Sequence, residues 1–114
     1  MVKDVMIGDK AVAMAANAAS PIFYKKLFHK DMLRVIAGLM KKTEEEQMEA
    51  ADTVLELAFL LAATGERRDM SKISEKDYIS WLEGFELMDI LAATDDIVGV
   101  YFAQTKTDSE AKKN

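Results

Sequence analysis

The chain has 114 residues, half of them apolar and 31% charged, with a net charge of −5 and no cysteine. That is one domain with a single modest core, no disulfide or thiolate chemistry, and no positive stripe for nucleic-acid phosphates. No apolar run approaches the ~20 residues of a membrane span, and one proline with five glycines leaves too few turns for an all-β protein.

The reading is therefore mainly α: a small compact helical domain over 1–104, about five helices, and a short N-terminal β-hairpin over 3–16. Gly8-Asp9 between two short apolar runs suits a type II′ turn, although alanines weaken the second arm as a strand. The Ala11–Ala19 stretch looks superficially like a signal peptide. Asp4 and Asp9 offset Lys3 and Lys10, and Asn17 cuts the run, so a leader is not expected. Ser20-Pro21 starts a helix over 21–29, with Ser20 accepting from an amide two or three residues on and Pro21 pre-set at the first position. Phe23, Tyr24, Leu27 and Phe28 give it one apolar face, and Lys25, Lys26 and Lys30 fall on the wet side. A tight corner at His29-Lys30 leads to an Asp31 cap and a helix over 31–41, whose apolar set is Met32, Leu33, Ile36, Leu39 and Met40. This Ala18–Met40 stretch is expected to organise the core.

Lys41 and Lys42 suit a helix C-terminus, and Thr43 with Glu46 reads as a capping box for a helix over 44–64. Between Val54 and Ala63 only Glu56 is polar, which marks a buried central helix ended by Gly65. After a charged loop over 66–73, Ser74 with Asp77 caps a helix over 75–84, with Tyr78, Leu82 and Phe85 on one face and Trp81 beside them. A last helix over 86–103, re-capped near Thr94-Asp95-Asp96, carries Ile97, Val98, Tyr101 and Phe102. Residues 105–114 read as a disordered polar tail.

Chemistry is sparse. His29 is the sole histidine and reads as a helix-end residue, so a His-based metal cluster or Ser-His-Asp triad has nothing to build on. Glu44–Glu46 and Asp95-Asp96 sit at helix starts, where complementing the dipole accounts for them. The glycines are isolated, so no phosphate loop forms. The eight methionines are scattered core filler, or an adaptable apolar surface. No catalytic residue, metal or cofactor is called for, and the chain reads as one that works through surfaces.

The order of features resembles the tail assembly chaperones of long-tailed (siphovirus-type) phages and prophages of Gram-positive bacteria. The matching pattern is a hairpin arm Val5-Met6-Ile7-Gly8-Asp9-Lys10, then Pro21, Tyr24, Leu27, Phe28, Lys30 and Asp31. A central Leu55–Phe59 segment, a block of Trp81, Leu82, Glu83 and Phe85, and a polar Thr/Ser/Lys tail complete it. It covers Val5 to Asn114, and its motifs are apolar patterning whose order carries the likeness. The family commonly has glycine where this chain has His29, which puts a left-handed helix end in doubt. A tryptophan often stands near the place of Tyr101-Phe102.

The resemblance implies a non-enzymatic assembly factor, cytoplasmic in the infected host and absent from the finished virion. It would coat the tape measure protein, keep its apolar helical segments soluble, help recruit tail tube protein, and self-associate. It implies no partner nucleic acid and no membrane. A frameshifted longer form would fit a slippery codon run at Lys112-Lys113-Asn114. On this reading the partner-binding candidates are Phe23, Tyr24, Phe28, Trp81, Tyr101 and Phe102, with core packing the competing role for each. The alternatives are a structural virion component, such as a head–tail connector or tail-terminator subunit, and a small regulator that binds a host factor.

Overall fold

A computed structural model describes residues 2–40, 43, 45–46 and 50–102. It is mostly helical and opens with an antiparallel hairpin, as expected. The hairpin pairs β1 (Lys3–Ile7) with β2 (Lys10–Met14), closing Ile7 against Lys10 around Gly8 at φ 63°. A positive φ at the first turn position alone is the type II′ pattern, so glycine is required there. Alternation turns Val5, Ile7, Val12 and Met14 inward, while Val2 and Met6 face out.

Helices α1 (Ser20–Phe28) and α2 (Met32–Met40) meet at the foreseen corner. His29 ends α1 in the left-handed region at φ 60°, ψ 33°, its amide donating to the Lys25 carbonyl. The doubt about that geometry without glycine is thus resolved. Asp31 Oδ1 accepts from the amide of Leu33 at 3.1 Å, which caps α2 as expected. Ser20 behaves differently from expectation. The helix begins at Ser20 itself, so its buried hydroxyl accepts from Asn17 N–H at 3.0 Å behind it instead of capping ahead. Leu33 and Met40 also depart from the core set, 54% and 62% exposed, because Met32, Ile36 and Leu39 form the stripe that packs inward.

Thr43 and Glu46 form their capping box, each accepting from the other's amide at 3.2 Å. The long helix does not run unbroken from there. Ala50 is a turn at φ −99°, ψ 30°, and α3 spans Ala51–Gly65. Residues 43, 45 and 46 are exposed whereas every side chain from Leu57 to Ala63 is buried, so tertiary packing overrides the continuous helical pattern. Helix α3 is the true centre, in place of Ala18–Met40: α1, α2's neighbour, packs on it, as do β2 and the two helices that follow. Its end is a Schellman turn, with Arg67 at φ 59° taking the left-handed place and Arg68 N–H donating to Ala63. Gly65 serves another purpose. A side chain there would run into the Ala13 backbone, and two residues further on, just past the end of β2, the Ala15 amide donates to the Leu61 carbonyl at 3.0 Å. The alanines of the second arm stand where strand and helix backbones meet.

Within the loop a 3-10 turn covers Met70–Lys72, and the Ser74–Asp77 capping box opens α4 (Glu75–Leu82), shorter than the 75–84 span. The last helix is two: α5 (Leu87–Ala92) and α6 (94–102), parted by a turn at Ala93. Thr94 does not re-cap by accepting. Its buried hydroxyl donates to the Leu91 carbonyl at 2.5 Å, back into the helix that ends there. Lys41, Lys42, Glu44 and the 105–114 tail lie outside the described residues.

Candidate partner-binding surfaces

Six rings form a chain across three helices and the turn that follows α4. Tyr24 and Phe28 of α1 lie 5.2 Å apart by centroid, Phe28 and Tyr78 5.1 Å, Tyr78 and Phe59 5.5 Å, Phe59 and Trp81 5.9 Å, and Trp81 and Phe85 4.6 Å. Tilted and edge-on contacts at these spacings are the favourable ones. Of the six candidates, Tyr24, Phe28 and Trp81 are therefore brought into one row. Tyr24, however, is wholly buried, while Phe28 and Trp81 are half-buried walls of the core. Phe23 is likewise half-buried against the core. Tyr101 and Phe102 stand apart as their own edge-on pair, 5.8 Å between centroids, and only Phe102 is exposed. The six do not make one face.

Glu56, the single polar residue of the apolar run, explains its place. Its Oε1 accepts from Tyr24 Oη and from Lys30 Nζ, each at 2.9 Å, tying the α1–α2 corner to α3. Lys30 is thus half-buried and paired, not on the wet side. Burial first, then the Glu56 carboxylate, holds the Tyr24 hydroxyl far above its ordinary value, and the same causes push Tyr78 up to about 12. Both hydroxyls stay protonated at neutral pH, and that of Tyr24 is a fixed donor to Glu56. Among the described residues no group of three or more His, Asp or Glu could hold a metal ion, and no helix is long and apolar enough to cross a membrane.

The open apolar feature lies elsewhere. Leu39 and Met40 of α2 face Val98, Gly99 and Phe102 of α6 across a groove of about 260 Å³, with Asp95 at its rim. Nothing lies within 4 Å of where a Gly99 side chain would begin, so the glycine keeps the groove open. Leu33, two turns before Met40 on the same side of α2, adds an exposed apolar residue to that helix. Phe102 is the one candidate that reaches this groove. The others missed it because its walls come from segments some sixty residues apart; the signal that was present is a lone glycine inside the apolar stretch 97–102. No family model, no curated protein and no solved structure matches the chain.

Proposed function

We propose that this protein is a phage tail assembly chaperone, which binds the tape measure protein, keeps it soluble and helps recruit tail tube subunits. It acts without catalysis, in many copies, in the cytoplasm of the infected host, and is left out of the mature virion. The sequence resemblance suggests the role, and the α2–α6 groove is the observation that carries it. A cleft between two helices, lined by Leu39, Met40, Val98 and Phe102, suits the apolar stripe of a partner helix. Repeated over many copies, such a weak contact coats a long helical partner by avidity, and the acidic remainder keeps the coat in solution.

The test is co-expression with the tape measure protein of the same genome, followed by affinity purification and mass measurement. A soluble complex with many copies of this chain per tape measure protein is the expected result. Precipitation of the tape measure protein while this chain elutes free overturns the reading. Detection of the chain in purified virions would instead favour a structural component such as a connector or terminator subunit.

A further inference from the structure

A second groove, built from different elements, exposes backbone. About 580 Å³ in volume, it is lined by residues 10–13 of β2 together with Glu66, Trp81 and Phe85. Four consecutive residues line it, whereas a sheet face presents only alternate ones, so the groove runs along the edge of β2. The ladder fixes which groups point into it. Ile7 and Lys10 close a two-residue loop, so they exchange both hydrogen bonds, as do Val5 with Val12 and Lys3 with Met14. Ala11 and Ala13 sit opposite Met6 and Asp4 in the alternate pairs and aim their N–H and C=O away from β1. Further along the same edge the outward Ala15 N–H is taken by Leu61, and the Ala13 carbonyl abuts Gly65. For the amides of Ala11 and Ala13 no acceptor is found among the described residues. Trp81 and Phe85 stand half-exposed beside them, with Lys10 Nζ 5.0 Å above the Phe85 ring.

We infer that this edge is a docking site for a short extended peptide segment of a partner protein, which adds a strand to β2. The outward amides of Ala11 and Ala13, with the Ala11 carbonyl, select an extended backbone, and the Trp81–Phe85 wall selects an apolar or β-branched side chain. The ends favour charge: Lys10, whose ammonium donates to the Gly84 carbonyl at 2.7 Å and keeps further N–H groups, favours an acidic residue at one end, and Glu66 a basic one at the other. Helix α3 blocks the edge beyond Ala13, which confines the added strand to a few residues. This site shares no residue with the α2–α6 groove and stands or falls independently of it.

The probes are the pentapeptides Arg-Val-Thr-Val-Asp and its reverse, which match the end charges in antiparallel and parallel alignment respectively, with a central-proline version of each as control. Trp81, the only tryptophan, reports binding by its emission, and the amides of Ala11 and Ala13 report it by hydrogen exchange. The expected result is that one of the pair shifts Trp81 emission and slows both amides, and that its proline version does neither. The substitution Ala11→Pro removes an outward N–H without touching the ladder, and is expected to weaken binding about five- to tenfold. If neither peptide moves Trp81 emission, or if both amides are already slow in the free monomer, the site is refuted, and neither reading depends on the variant's folding. Protection that grows with protein concentration in the absence of peptide would assign the edge to a second copy and overturn the partner assignment.

Discussion

His29 and Arg67 hold left-handed dihedrals with full side chains, at φ 60° and 59°. A Cβ in that region costs roughly 1–2 kcal/mol, and a helix-ending position of this kind favours glycine. His29 is exposed, so His29→Gly is expected to raise stability by about 1 kcal/mol, read as a higher denaturant midpoint at unchanged slope. The tyrosines make the complementary case, in which burial beside carboxylates favours the protonated ring. Tyr78 is raised from an unfolded value of about 10 to about 12. Its contribution is therefore complete below pH ~10 and is lost as pH rises through the folded value, with the buried Tyr24 acting in the same direction. Denaturation followed from neutral to strongly alkaline pH should show stability falling across that window. A flat profile would contradict the packing described for both rings.

Two glycines within helices show how the setting of an element decides the sign of one substitution. Gly38 in α2 has nothing within 4 Å of a new methyl group, so Gly38→Ala should stabilise by roughly 0.5–1 kcal/mol through helix propensity alone. Gly65→Ala gains the same propensity but drives its methyl into the Ala13 backbone, and a net loss of about 1–3 kcal/mol is expected. Thermal melts of the two variants should move in opposite directions. The same contrast separates what the sequence made legible from what it did not. Local chemistry was readable: the Gly8 turn, the Asp31, Thr43 and Ser74 caps, and the buried run around Leu57–Ala63. The turns at Ala50 and Ala93 were not, because each depends on what the flanking segments pack against. Nor does a helical repeat say which of two adjacent stripes faces inward, which is why Leu33 and Met40 were placed in the core. Of the candidate site, aromatic residue type pointed to Phe102, an exposed ring, yet it swept in Tyr24, whose hydroxyl has a partner 32 residues away in the half-buried Glu56.

At the scale of the whole molecule the apolar groove is separate from the features that hold the fold together. Met40 and Phe102 are 62% and 39% exposed, so the pair Met40→Glu and Phe102→Glu should shift stability by no more than about 0.5 kcal/mol each and leave helicity intact. Under the proposed function the same pair should sharply reduce the amount of soluble tape measure protein recovered by co-expression. Retention of full yield would remove the α2–α6 groove from the binding face. Loss of yield with helicity intact would instead show stability and recognition to be carried by different residues.

The hairpin's attachment to α3 also sets an order in time. Leu61, which accepts from the Ala15 amide, lies 46 residues downstream of it. At synthesis rates of about 5–20 residues per second, the strands leave the ribosome roughly 2–9 s before the helix they rest on. A two-stranded hairpin alone is marginal in water, so during that interval it forms and dissolves without being fixed. The hairpin is made before the helix that secures it, and hydrogen exchange on the folded chain should find the ladder amides and those of α3 opening together as one unit.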